Sequence, residues 1–184
     1  GSDQTRKLLV LGGSQGAQFL NETLPALVDA LRRTAADKAL TVRHQAGRGK
    51  AEMVRERYRA LDLEATVDEF IDDMPAAYDD ADFVICRAGA LTISELTVAG
   101  RPALFVPFPH AADDHQTKNA AAMVAAGAAL MVAQPDFDVA RVADTLRDLL
   151  WPGKDLAEMG AKARELGKPK AVDAIVDGCL ELLA

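Results

Sequence analysis

Four short segments carry the residue types that ligand chemistry needs. Gly12-Gly13-Ser14-Gln15-Gly16 follows an apolar run and precedes a helical pattern. Glycines let backbone approach a ligand closely, and exposed N–H groups at a helix start favour a phosphate. A tight strand-to-helix turn accounts for the same residues without a ligand. The segment departs from G-x-G-x-x-G, and where an NAD site needs an acidic residue the chain reads His44-Gln45-Ala46-Gly47, so a plain dinucleotide site is disfavoured.

The second segment is Arg87-Ala88-Gly89-Ala90-Leu91-Thr92-Ile93-Ser94-Glu95. Helix-start amides together with the Thr92 hydroxyl suit a diphosphate, and Glu95, one turn further on the same face, suits the two hydroxyls of a ribose. Thr92-x-x-Glu95 is equally a capping box that only satisfies backbone donors, and both readings stand. In Phe70-Ile71-Asp72-Asp73-Met74, main-chain groups at Ile71 can read the edge of a planar base, whereas Asp73 before Pro75 reads as a helix N-cap.

The last segment runs from Pro107-Phe108-Pro109-His110 through Asp113-Asp114-His115-Gln116 to Asn119. Amide and imidazole groups at a helix start suit a sugar, whose hydroxyls both donate and accept. A metal set drawn from His110, Asp113, Asp114 and His115 is disfavoured, because proximity in sequence does not establish convergent ligands. Asp113 or Asp114 as a helix cap is the more ordinary role. Two further motifs are set aside: Gly47-Arg48-Gly49-Lys50 lacks the spacing and the Ser/Thr of a P-loop. Asp80-Ala81-Asp82 falls at the amino end of a strand, the wrong rim for a ligand, and reads as solvated.

The elements that must position these segments alternate along the chain. Apolar β-rich runs over 7–11, 40–45, 65–69, 83–86, 103–107 and 128–132 are separated by helical periodicity. Phe19, Leu20, Leu24, Leu27, Val28 and Leu31 describe one face of the first helix. Six strands with crossover helices predict an α/β fold with a Rossmann-like, doubly wound parallel sheet. In such a sheet ligands bind beyond the carboxyl ends of the strands, where all four segments fall. Helices are expected over 139–150, 156–166 and 171–183, packed outside the sheet.

At 184 residues the chain fits one domain, and 49% hydrophobic with 27% charged residues is the balance of a globular protein. The formal net charge of -7 argues against a nucleic-acid partner, which calls for a clustered positive surface. The apolar run 120–133 is short for a membrane span and is broken by Gly127, so it reads as helix, turn and strand, with no membrane insertion by this chain. Residues 1–6 are expected to be a tag remnant and linker, and 7–184 the domain. Cys86 and Cys179 form neither a C-x-x-C pair nor a disulfide framework, which suits a reducing cytoplasm.

Taken together, Gly12 to Ala17, Phe70 to Met74, Gly89 to Glu95 and His115-Gln116-x-x-Asn119-Ala120 resemble the C-terminal half of the MurG family of peptidoglycan N-acetylglucosaminyltransferases. The resemblance covers the chain from about Lys7 to Leu183. It implies the C-terminal lobe of a two-lobed GT-B enzyme, holding UDP-GlcNAc or UDP. It further implies an N-terminal lobe, outside this sequence, that carries the acceptor lipid I, the membrane contact and the catalytic base. Carried over, Ser14 and Thr92 contact phosphate, Ala90 and Leu91 offer amides to the diphosphate, Ile71 meets uracil through its backbone, Glu95 holds the ribose, and Gln116 with His115 faces GlcNAc. Family members often have Gln where this chain has His115. No cofactor and no metal is called for, and the full enzyme is placed peripherally on the cytoplasmic face of the plasma membrane. Rival readings are a separately encoded half of a split UDP-GlcNAc transferase, an epimerase or hydrolase on the same fold, and a nucleotide-binding module without activity.

Overall fold

A computed structural model of the chain describes residues 5–13, 17–110, 114–151 and 154–167. Ser14, Asp113, Cys179, most of the expected leader and the helix expected over 171–183 lie outside the described residues. Six strands form one parallel sheet: β1 (Arg6–Leu11), β2 (Leu40–Gln45), β3 (Thr66–Asp68), β4 (Phe83–Cys86), β5 (Ala103–Phe105) and β6 (Ala129–Met131). Their order across the sheet is β3-β2-β1-β4-β5-β6. The expected doubly wound topology is therefore present, with the order reversing between β1 and β4.

Among the described residues seven α-helices connect and cover the strands: α1 (Gln18–Thr34), α2 (Ala51–Ala60), α3 (Met74–Asp80), α4 (Ala90–Ala99), α5 (His115–Ala125), α6 (Val139–Leu150) and α7 (Lys154–Leu166). Alternation along β1 explains why both faces need helices. Leu8 and Val10 join one apolar cluster with residues of α1, α2 and α6, while Leu9 and Leu11 join a second with residues of α3, α4 and α5. The predicted face of α1 is buried as expected: Leu20, Leu24, Leu27 and Leu31 reach no solvent. Phe19 sits at its edge, edge-on to Phe137.

The strands near the sheet edges are shorter than the apolar runs that predict them. β3 pairs only with β2 and β6 only with β5, each over three residues, so the flanking apolar residues pack without joining a ladder. The run 120–133 resolves as expected into the end of α5, a turn at Gly127 with φ 70°, and β6. No helix among the described residues is long and apolar enough to cross a membrane.

Helices α6 and α7 pack against other helices, α6 on α1 and α7 on α4. The α4–α7 approach is close enough to require glycine. Gly100 ends α4 in the left-handed conformation, and a Cβ on Gly160 would stand 2.8 Å from the Gly100 carbonyl oxygen. At the amino rim, Asp80 and Asp82 do not simply face solvent. Asp80 accepts a hydrogen bond from the Lys7 ammonium, and Asp82 accepts one from the Lys7 amide at 2.9 Å, tying β1 to the entry of β4.

Candidate functional site

Because all six strands run parallel, every loop that leaves a strand lies along one edge of the sheet. Gly12 and Gly13 leave β1, with Gly13 at φ +74° and, among the described residues, no neighbour within 4 Å of a would-be Cβ. Glycine is thus required there by conformation and not by space. Ser14 itself lies outside the described residues.

The start of α4 carries the clearest ligand geometry. Its ladder opens with the Ile93 amide donating to the Gly89 carbonyl at 3.0 Å, so the amides of Ala90, Leu91 and Thr92 precede the first intrahelical donor. Ala90 and Leu91 are exposed, Leu91 to 73%. Gly89 occupies the N-cap position and makes no side-chain bond. Thr92 is therefore the third residue of the helix, and the capping-box alternative for Thr92 and Glu95, which needs Thr92 at the cap, does not apply. Glu95 instead accepts a hydrogen bond from the Tyr78 phenol, 2.8 Å from Oε2.

Ile71 lies in the loop between β3 and α3, outside the ladder, with its side chain buried at 6% exposure. Its side chain belongs to the core, so only its main chain is left to meet a base. Asp73 caps α3 as expected: its carboxylate accepts from the Ala76 amide at 2.9 Å, with Pro75 in the first turn.

At α5 the expectations need amendment. Gln116 Oε1 accepts from the amides of Phe108 at 2.9 Å and Ala88 at 3.2 Å, and Asn119 donates to the Ala88 carbonyl at 3.3 Å. Gln116 thus fastens α5 to the ends of β4 and β5, and the NH2 of its amide is what those two bonds leave over. His115 is exposed beside it. Asp114 stands at the N-cap position but bonds the Thr117 hydroxyl at 2.6 Å and no backbone amide. Its left-handed backbone, φ 55°, departs from the extended conformation that aims a cap. Among the described residues no group of three or more His, Cys, Asp or Glu side chains is arranged to hold a metal ion.

Two hollows result. A cleft of about 540 Å³ is lined by Gly12, Phe19, Lys50, Arg87, Phe108 and Gln116 among others. A second, of about 420 Å³, lies between α3 and α4 and is lined by Tyr78 and Glu95. They share no lining residue, and α4 links them: Ala88, just before it, bonds Gln116, while Glu95 lies along it.

Arg87, to which no sequence motif assigns a role, is also part of this site. Its guanidinium donates to the carbonyls of Val106 (2.9 Å) and Pro107 (3.1 Å) and to Gln134 Oε1 (2.7 Å), and stacks over Phe19 and Phe108. Burial lowers its pKa from the ordinary value, yet a guanidinium stays charged, so Arg87 brings fixed positive charge to the cleft wall. The available signal was its place directly after a strand at the order reversal. Lys50, in a segment that does not fit the P-loop pattern, nevertheless lines the cleft.

The glycosyltransferase family 28 C-terminal domain matches residues 7–175. This chain belongs to that family.

The resemblance to the C-terminal half of MurG is borne out by relatives of this family 28 domain. It is 51% identical over 175 residues to the UDP-N-acetylglucosamine–N-acetylmuramyl-(pentapeptide) pyrophosphoryl-undecaprenol N-acetylglucosamine transferase of Pseudomonas aeruginosa (strain LESB58), covering 95% of this chain and 48% of that protein. A similar transferase of Chromohalobacter salexigens is 50% identical over 185 residues, covering 98% and 50%. The crystal structure of Acinetobacter baumannii MurG superposes with a TM-score of 0.86 at 39% identity, over 96% of this chain and 50% of that one. The S. aureus MnaA–UDP structure, at 14% identity and a TM-score of 0.70 over 98% of this chain and 47% of that one, shares the fold. The family 28 domain spans about half the length of the curated relatives it matches.

Proposed function

We propose that this chain is the donor-binding lobe of an inverting N-acetylglucosaminyltransferase that moves GlcNAc from UDP-GlcNAc to a lipid-linked muramyl acceptor, lipid I, in peptidoglycan synthesis. The observation that carries the proposal is the open start of α4 at the order reversal of the sheet, with Glu95 one turn along. Amides of Ala90, Leu91 and Thr92, with the Thr92 and Ser14 hydroxyls, bind the diphosphate. Ile71 meets uracil through its backbone, Glu95 accepts hydrogen bonds from the ribose diol, and His115 with the Gln116 amide faces GlcNAc.

In the transfer, the acceptor hydroxyl attacks the anomeric carbon, the bond to the diphosphate oxygen breaks, and UDP departs with the bonding electrons. Fixed amides aimed at the diphosphate stabilise the negative charge that grows there and require no reorganisation as it forms. Acceptor, membrane contact and general base belong to a second lobe of the full enzyme. The transferase activity for which the relatives are named and the half-length match support this division of labour.

Glu95→Gln tests the assignment. UDP binding is expected to weaken by roughly 1–3 kcal/mol, the scale of a charge-assisted hydrogen bond. Binding of 2′,3′-dideoxy-UDP, which lacks the diol, is expected to change little. Equal penalties for the two ligands return Glu95 to a structural role.

A further inference from the structure

We infer that Tyr78 is a positioning residue for the ribose of a uridine nucleotide, holding the Glu95 carboxylate across the seam between α3 and α4; this rests on the assignment of Glu95 to the ribose diol. The phenol donates to Glu95 Oε2 at 2.8 Å from a ring that is 3% exposed. A buried, packed ring has one orientation, so the donor is fixed before any ligand arrives.

Glutamate is a long side chain whose ordering costs conformational entropy. Anchoring one oxygen to a rigid donor removes much of that cost before binding. A carboxylate accepts at both oxygens and along about four lone-pair directions. With one direction on Oε2 taken by the phenol, Oε1 and the rest of Oε2 remain for two ribose hydroxyls. Burial first, and the bond to Glu95 second, push the Tyr78 phenol above its ordinary range, so the donor stays protonated throughout neutral pH.

The same helix ties this carboxylate to the base site. Asp73 caps α3, Ile71 lies three residues before its first residue, and Tyr78 lies on it. The groups proposed to read uracil and ribose are thereby joined as one unit: loop, α3, phenol, carboxylate. Such a unit fixes the spacing between base and diol, which selects a ribonucleoside over a nucleoside lacking the hydroxyls.

Tyr78→Phe removes one oxygen and keeps the ring in place, and the groove beside Glu95 lets water reach the freed carboxylate. Calorimetry of the full chain with UDP and with 2′,3′-dideoxy-UDP is the experiment. Y78F is expected to bind UDP about threefold to tenfold more weakly, the net worth of one hydrogen bond, and to bind the dideoxy ligand as the parent does. Y78F combined with E95Q is expected to bind UDP no more weakly than E95Q alone. The ratio of the two affinities is independent of the fraction folded, so a poorly folding variant still gives an answer. Unchanged UDP binding in Y78F, or equal loss for both ligands, overturns the inference. If E95Q is diol-selective and Y78F is not, only the role of Tyr78 falls. If E95Q itself shows no diol selectivity, the ribose assignment and the inference fall together.

Discussion

His44 is fully buried at the end of β2, with Nδ1 3.0 Å from the Tyr58 hydroxyl and Nε2 3.0 Å from Asn21 Oδ1. Asn21 spends its NH2 on the Ala46 carbonyl at 2.9 Å, so its oxygen faces the ring. Nε2 must therefore carry the proton and Nδ1 must accept from the phenol. The network clamps the first turns of α1 to the end of β2. Burial lowers the His44 pKa from 6.5 to about 4. Below pH 6.5 the unfolded chain takes up a proton that the folded one refuses, so stability is complete above that pH and drains away as pH falls towards 4. The loss is about 2 kcal/mol by pH 5 and reaches the order of 3 kcal/mol only below the folded-state value, where both states are protonated. Urea unfolding at pH 7 to 5 is expected to show a steeper fall in the parent than in His44→Gln; identical slopes contradict it. Residue roles were unevenly legible. Asp73 was readable because cap and early Pro are local, whereas the Gln116 clamp and the Tyr78–Glu95 bond join segments distant in sequence, and no spacing rule reaches across them.

Among the elements, α3 is the one on which the proposed site depends most, and it is also short, at seven residues. A helix of two turns has few internal bonds, so its cap matters in proportion. Asp73→Ala is expected to cost about 1 kcal/mol of stability, with Asp73→Asn retaining most of it; chemical denaturation measures both. An alanine variant as stable as the parent would mean that packing of Ala77 and Tyr78 alone holds α3. The element order was almost wholly legible, because the continuous apolar runs of β1 and β4, buried on both faces of the sheet, and the apolar stripe of α1 each answer to burial. Edge-strand lengths were not, since apolar residues beside β3 and β6 remain attractive as core after pairing stops. The glycine contact of α4 with α7 was likewise hidden, because a glycine in a helical pattern does not reveal what packs against it.

For the whole molecule, the family 28 match, the six-stranded order and the 0.86 superposition agree on a C-terminal glycosyltransferase domain that covers about half of the chain it superposes on. Transfer needs donor and acceptor held together, and most of the rate advantage of that arrangement vanishes when one of them is free in solution. The isolated chain is therefore expected to give negligible transfer to a lipid I analogue in a radiolabel assay, and efficient turnover would refute the division into lobes. The central claim, a metal-independent UDP-GlcNAc site on this chain, is tested most directly by calorimetric titration in the presence of EDTA with UDP-GlcNAc, UDP-glucose, NAD and ATP. Saturable binding of UDP-GlcNAc, weaker binding of UDP-glucose and none of NAD or ATP is the predicted result; comparable binding of NAD or ATP, or UDP-GlcNAc binding that appears only when Mg²⁺ or Mn²⁺ is supplied, would contradict it.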